Sequence, residues 1–178
     1  VTIVRDGLID HSDSLGASAR FGGGDVQWVT AGRGIVHAEM FPLLKPDAPN
    51  RLELFQIWLN LPASHKMAEP HFTMFWSEQV PRHVFTDGAG AATSVTCIAG
   101  RLRGAEGTAP LAPPPDSWAA QPGSDVAIWT IAMAPGARWT LPAAAGDGTQ
   151  RCLYFFEGAS LSIAGQNLTQ HAAVHLQC

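Results

Sequence analysis

The chain has 178 residues, which is enough for one large domain or two small ones with a hydrophobic core each. Hydrophobic residues make up 46% of the chain and charged residues 15%, a balance that argues against intrinsic disorder. The formal net charge of -4 argues against direct binding to nucleic acid, and no apolar run is long enough to span a membrane.

Short β-prone runs separated by turn residues open the chain. A run from Val1 to Val4 is followed by the turn Arg5-Asp6-Gly7 and by a second segment from Leu8 to His11. Because an Asp-Gly pair supplies the positive φ angles of a tight hairpin turn, these two segments are predicted to form a hairpin. Further strands are predicted over 26–30 and 35–40, after a glycine-rich turn.

The segment from Leu52 to Leu61 is the strongest predicted strand, and apolar residues on both of its faces indicate burial on both sides. One helical turn is predicted over 63–67, and another strand over 71–76. A break at about 81–90 then indicates a boundary between two units.

The second half of the chain follows the same pattern. Short strands are predicted over 94–98, 126–133, 138–141, 151–157 and 161–164, with an exposed proline-rich loop over 109–117. Over the whole chain, 18 glycines and 13 prolines fall between short apolar runs, and no long stretch has helical periodicity. The sequence therefore predicts an all-β protein of two tandem barrels, over 1–80 and 81–178. Both ends read as the middle of a strand, so we expect a piece of a longer protein with both barrels truncated.

The three cysteines, Cys97, Cys152 and Cys178, are widely spaced and form no Cys-x-x-Cys motif. This pattern argues against a disulfide framework and against a thiolate zinc site. It favours a reducing compartment, so we expect a cytoplasmic protein whose thiols take no part in function. The alanine- and glycine-rich loops point to a bacterial source.

His37-Ala38-Glu39 is the strongest local signal for chemistry. Residues two apart on a strand point to the same face, so both side chains can enter one barrel interior. An imidazole nitrogen and a carboxylate oxygen suit Fe, Mn, Ni, Cu or Zn. The alternative is an ordinary strand histidine beside a surface glutamate. Two donors also fall short of the three or four protein ligands of a firm catalytic site.

The run GDVQWVTAGRGIVHAEM, from Gly24 to Met40, closely resembles the signature of the pirin family. The segments Gln56 to Leu61 and Lys66 to Pro70 resemble the next two blocks of that family, in the same order. In the second half, similar segments lie at 135–137, 141–142, 153–158 and 161–163. The resemblance covers nearly the whole chain.

The resemblance implies a bicupin, two jelly-roll-like barrels of which the first binds one metal, usually Fe(II), through three histidines and one glutamate. His37 and Glu39 match two of these four ligands, and Glu39 would also be the catalytic base. The other two ligands belong to a His-x-His motif, which occurs nowhere in this sequence. Because the chain carries half of this ligand set, we expect it to hold no stoichiometric iron.

Three further residues, His11, Gln27 and Gln56, are candidates for the pocket. His11 either orients a metal ligand from behind or is a solvated turn residue. Gln27 and Gln56, with Trp28 and Trp58, are candidates for the cavity wall, although the indoles fit core packing better. The remaining histidines are expected to be structural or solvated: His65, His71, His83, His171 and His175.

The signature run also contains residues that fit a purely structural role. Asp25, Arg33 and the glycines around them are open to a structural explanation, tight turns and a buried ion pair that shape the barrel mouth, and we favour it for Gly32 and Gly34. The triplet from Pro113 to Pro115 reads as a polyproline ligand or as an inert loop, and we expect the loop.

The resemblance implies two functions of different classes. As an enzyme, the protein would be a quercetin 2,3-dioxygenase-type oxygenase that binds a flavonol-like substrate and O₂, with Glu39 removing the 3-hydroxyl proton. As a regulator, it would bind a transcription factor or a metabolic enzyme in response to its metal. A third explanation is a fragment without metal or activity. Quercetin consumption with carbon monoxide release, lost on Glu39→Ala, identifies the enzyme, and metal-dependent partner binding without turnover identifies the regulator.

Overall fold

The computed structural model describes residues 1–146 and 148–176. Its regular secondary structure is almost entirely β, with 39% strand and 3% helix. The strands are β1 (Thr2–Asp6), β2 (Leu8–Asp13), β3 (Ser18–Gly22), β4 (Val26–Thr30), β5 (His37–Met40), β6 (Glu53–Gln56), β7 (His71–Phe75), β8 (Arg82–Thr86), β9 (Ala92–Ala99), β10 (Ile128–Met133), β11 (Arg151–Phe155), β12 (Leu161–Ile163), β13 (Gln166–Leu168) and β14 (Ala172–Leu176). Two 3₁₀ turns, Ala63–His65 and Trp118–Ala120, complete the regular structure of the described residues. The all-β fold class is confirmed.

The chain divides into two compact units, Val1–Thr140 and Leu141–Cys178. The first unit contains the sheets β6-β1-β4-β7, β3-β2-β5 and β10-β9-β8, and the second contains the pairs β11-β14 and β12-β13. The segment 81–90, predicted as a break, contains β8, which pairs with β9. The boundary between two barrels near residue 81 stays a prediction.

The predicted hairpin at Asp6-Gly7 is wrong. Strand β1 pairs with β4 and β6, whereas β2 pairs with β3 and β5, so the chain changes sheets at Gly7. Gly7 has a φ of 84°, and an added Cβ would lie 2.6 Å from the carbonyl oxygen of Arg51. The turn residues therefore predict the change of direction correctly, but the partner of each strand is decided by long-range packing.

Strand β1 contributes to two different cores because neighbouring residues on a strand point to opposite faces. Val4 packs with Ile9 and Phe21, between the sheet of β1 and the sheet of β2. Ile3 packs with Trp28 and residues of β9 and β10 on the other face. The sheet β6-β1-β4-β7 is thus covered on both faces, and Trp28 is a core residue.

Three local predictions need correction. The strand predicted over 52–61 extends only over β6, an edge strand, and Trp58 beyond it is 88% exposed. No strand forms over 138–141, where the backbone N–H of Arg138 donates to Asp87. The proline-rich loop buries Pro114 and Ser117, and Ser117 caps the second 3₁₀ turn. The helical turn predicted after residue 62 is confirmed.

Cys97 is buried and Cys152 is half-buried, and both are free thiols, while Cys178 lies outside the described residues. Within 1–146 and 148–176, no helix has the length and apolar character needed to cross a bilayer.

Candidate metal centre

Strand pairing brings four polar side chains to one face of the sheet β3-β2-β5. In the antiparallel register of β2 and β5, His11 lies opposite Glu39, and Asp13 lies opposite His37. Each strand contributes residues two positions apart, which point to the same face. The four side chains, His11, Asp13, His37 and Glu39, therefore form a compact block, which we call the His-Glu cluster.

Three members of the His-Glu cluster offer converging donor atoms. One ligand atom from each of His11, His37 and Glu39 lies within 4.8 Å of the other two. The rings of His11 and His37 are 5.5 Å apart, and His11 Nδ1 is 3.9 Å from Glu39 Oε1. His37 is exposed, the Glu39 side chain is 15% exposed and the His11 side chain is inaccessible, so the cluster runs from the surface into the interior.

Asp13 contacts Nε2 of His11, the ring nitrogen that does not face Glu39. Asp13 Oδ2 lies 3.0 Å from His11 Nε2, and both side chains are fully buried. Asp13 Oδ1 accepts the backbone N–H groups of Leu15 and Ala17, at 2.9 and 3.0 Å. Burial raises the pKa of Asp13, but the hydrogen bonds from His11, Ala17 and Leu15 outweigh it and hold the pKa below the ordinary value.

The facing sheet supplies two further contacts to the His-Glu cluster. Gln27 on β4 donates from Nε2 to Glu39 Oε1 at 2.9 Å, and its side chain leaves the strand on the face opposite to Trp28. Phe72 on β7 stacks on the His11 ring with centroids 4.5 Å apart and an interplanar angle of 15°. These contacts hold one carboxylate and one imidazole in fixed positions.

The donor set and one orphaned atom fit a divalent transition metal. His11 Nδ1 is buried and has no hydrogen-bond partner among the described residues, although an unpaired buried nitrogen is costly. The 3.9 Å separation from Glu39 Oε1 is too long for a hydrogen bond but leaves space for a shared cation. Two imidazoles and one carboxylate are the donors that Fe, Mn, Co, Ni, Cu and Zn accept.

The other sequence candidates lie elsewhere. Gln56 is exposed on the edge strand β6, where it accepts a hydrogen bond from Trp58 Nε1 at 3.3 Å. Within the described ranges, the remaining five histidines join no group of three metal-binding side chains. His11, by contrast, is a fully buried member of the cluster rather than a solvated turn residue.

The predicted ion pair of Asp25 and Arg33 is wrong. Arg33 pairs with Glu69 at 2.8 Å, and both side chains are more than half exposed. Asp25 instead accepts the backbone N–H groups of Gly22 and Ser77, at 3.1 and 2.9 Å. Asp25 thus receives one backbone hydrogen bond within its own turn and one from a residue 52 positions along the chain, which removes the need for a cation.

Asp13 and Phe72 are not among the site residues predicted from the sequence. His11-x-Asp13 has the same i, i+2 spacing as His37-x-Glu39, so the signal for Asp13 was present in the sequence. Phe72 carries no such signal, because its contact with His11 depends on which sheet faces which.

Comparison with known proteins places these residues in a family context. The protein-family model described as Pirin matches residues 1–59, which include every member of the His-Glu cluster. A Pseudomonas aeruginosa protein, provisionally named a quercetin 2,3-dioxygenase, is 40% identical over 121 residues, 68% of this chain and 41% of that protein. A second protein of that species with the same provisional name is 31% identical over 178 residues, 99% of this chain and 56% of that protein.

A solved structure shares the architecture. The quercetin 2,3-dioxygenase of Acinetobacter baumannii superposes with a TM-score of 0.51 and 26% identity, covering 89% of this chain and 46% of that one. The present chain thus spans about half the length of the curated relatives that it matches.

Proposed function

Because the chain belongs to the pirin family of the cupin superfamily, we propose that it is a metal-dependent oxygenase of quercetin 2,3-dioxygenase type. The observation that carries the proposal is the convergence of His11, His37 and Glu39 donor atoms within 4.8 Å at the edge of a buried interior. A set of two imidazoles and one carboxylate, with coordination positions left open, is typical of non-haem oxygenases.

Each of the three donors would have a different role. His37, at the exposed side, and His11, at the buried side, would hold the ion through imidazole nitrogens. A divalent ion held by these residues would supply Lewis acidity toward the 3-oxygen of a flavonol. Glu39 accepts the 3-hydroxyl proton of the flavonol as a general base.

Gln27 favours this role for Glu39. Its amide occupies Glu39 Oε1 and is itself buried, so the carboxylate is held in one orientation. We therefore assign proton transfer to Glu39 Oε2. A carboxylate fixed by a neighbour in a half-buried site loses little freedom when substrate binds, which favours catalysis.

The test is turnover of quercetin by the chain supplied with Fe²⁺, followed as quercetin consumption together with carbon monoxide release. We expect Glu39→Gln to lower kcat by at least about 100-fold, because it removes the base and one anionic donor while keeping the side-chain shape. Glu69→Gln is the matched control, since Glu69 is exposed and its pair with Arg33 contributes little. Equal turnover by both variants would contradict the proposal.

A regulatory role is the second candidate, and one surface feature favours it. Exposed apolar side chains lie immediately before β5, at its last residue and in the loop after it, namely Val36, Met40, Phe41 and Leu43. Apolar surface of this kind is typical of protein interaction sites. Metal-dependent binding of a transcription factor or a metabolic enzyme, without quercetin turnover, would support this role instead.

A further inference from the structure

The hydrogen bonds of the Asp13 carboxylate leave His11 only one role toward it, that of hydrogen-bond donor. Oδ1 is already used by the N–H groups of Leu15 and Ala17, and Oδ2 faces His11 Nε2 at 3.0 Å. An ionised carboxylate only accepts hydrogen bonds, so His11 must donate from Nε2.

That donation decides what the other ring nitrogen can do. A neutral imidazole with its proton on Nε2 has a bare lone pair on Nδ1. Nδ1 is the buried atom without a hydrogen-bond partner, and it points toward Glu39 Oε1 at 3.9 Å. Phe72, stacked on the ring, restricts its rotation.

We propose that Asp13 is a positioning residue that holds the proton of His11 on Nε2, so that His11 Nδ1 serves as the third donor to a divalent cation bound by His37 and Glu39. This inference rests on the proposed metal site and deepens it. It also gives the chain a three-donor set of its own, independent of any His-x-His motif. The expectation that the chain holds no stoichiometric iron was based on two donors, His37 and Glu39.

A purely structural role for Asp13 makes a different prediction, and Asp13→Asn separates the two. The amide oxygen of Asn can keep both backbone bonds of the turn, while its NH₂ group faces His11 Nε2 and turns that nitrogen into an acceptor. The His11 proton then moves to Nδ1 and blocks the donor lone pair. The turn is preserved and the tautomer is reversed.

The experiment is a titration of the chain with Co²⁺, followed by calorimetry and by the visible absorption of the bound ion. We expect one Co²⁺ per chain for the wild type and an affinity about 10–100-fold weaker for Asp13→Asn, the usual effect of removing a partner that orients a metal ligand. Asp10→Asn is the matched control, because Asp10 lies on the same strand but pairs with exposed Arg20. Its Co²⁺ affinity should equal that of the wild type.

A second readout needs no metal. Long-range proton–nitrogen NMR spectra of the metal-free chain should show His11 protonated on Nε2 in the wild type and on Nδ1 in Asp13→Asn. A structural role alone would not move this proton. His11→Gln covers the case in which Asp13→Asn does not fold, because Gln can still donate to Asp13 but offers no imidazole Nδ1, and it should lose the Co²⁺ absorption band.

The outcomes are distinct. If Co²⁺ binding disappears in His37→Ala but is unchanged in Asp13→Asn and His11→Gln, the inference is wrong while the metal site stands. If the wild type shows no Co²⁺ absorption or heat at all, both the inference and the proposed function fail.

Discussion

The ring of His11 is held from three directions, and each contact has a separate physical cause. Asp13 fixes the proton, Phe72 fixes the plane of the ring, and the strand register fixes the distance to Glu39. A buried imidazole without such partners would rotate between several positions and would be a poor metal ligand. The quality of the site at the residue scale therefore depends on neighbours that do not themselves bind the ion.

The stacking contact gives a prediction at this scale. Phe72→Leu keeps an apolar side chain of similar size but removes the stacked ring, so the free energy of unfolding should fall by about 1 kcal/mol. Urea denaturation measures this change. Phe41→Leu, at an exposed position of the loop after β5, should change the stability much less. Equal effects of the two substitutions would mean that the stacking on His11 adds nothing.

Strand β5 carries two of the three donors, and the loop before it fixes the path of the backbone into the strand. Gly32 has a φ of 50° and passes so close to the segment after the first 3₁₀ turn that an added Cβ would lie 1.9 Å from the carbonyl oxygen of Ala68. The N–H of Arg33 donates to that same oxygen at 2.9 Å. At the scale of elements, this close approach holds the loop that leads into β5, while the pairing with β2 positions His37 and Glu39.

Gly32→Ala should therefore be far more costly than an ordinary glycine substitution. Gly16 also has a positive φ, of 84°, but open space surrounds the position of its missing Cβ. We expect Gly16→Ala to cost about 1–2 kcal/mol from backbone strain alone. Gly32→Ala should exceed this clearly and should also weaken Co²⁺ binding. Chemical denaturation and the same titration check both effects, and similar results for the two variants would argue against the close approach.

At the scale of the whole molecule, stability depends on ties between distant parts of the chain. Asp87 closes its own turn by accepting the N–H groups of Ala89 and Ala91, and it also accepts the N–H of Arg138, 51 residues away. These bonds, first that of Arg138 and then that of Ala91, hold the pKa of Asp87 below its ordinary value. The carboxylate form is thus favoured in the folded chain.

The lowered pKa of Asp87 determines how the stability of the fold changes with pH. A carboxyl group with a lowered pKa in the folded state stabilises the fold above its unfolded pKa of about 3.9. This stabilisation is lost as the pH falls through the folded pKa. Asp87→Asn should therefore lower the urea midpoint at pH 7, and the gap to the wild type should narrow below about pH 4. Asp47→Asn, in an exposed loop, should show no such gap, and a gap at Asp87 that is constant with pH would contradict the assignment.

The sequence predicted most of the fold because strand formation here is largely local. The segments around Val26, His71, Val95 and Leu153 all form strands close to their predicted positions, since β-branched and aromatic residues between turn residues carry the signal. The prediction of a buried strand from Leu52 to Leu61 was wrong, because an apolar run alone does not show whether a partner strand is available. The structure leaves this segment at a sheet edge, with Trp58 exposed.

Within the site, the His37-x-Glu39 pair can be predicted from the sequence alone, because the alternation of side chains along one strand is a local property. The position of His11 opposite Glu39, with Asp13 next to His11 on a strand 24 or more residues earlier in the chain, is visible only in the folded protein. The register between strands distant in sequence is set by burial of Val4, Ile9 and Phe21 between two sheets, and no local pattern encodes that register.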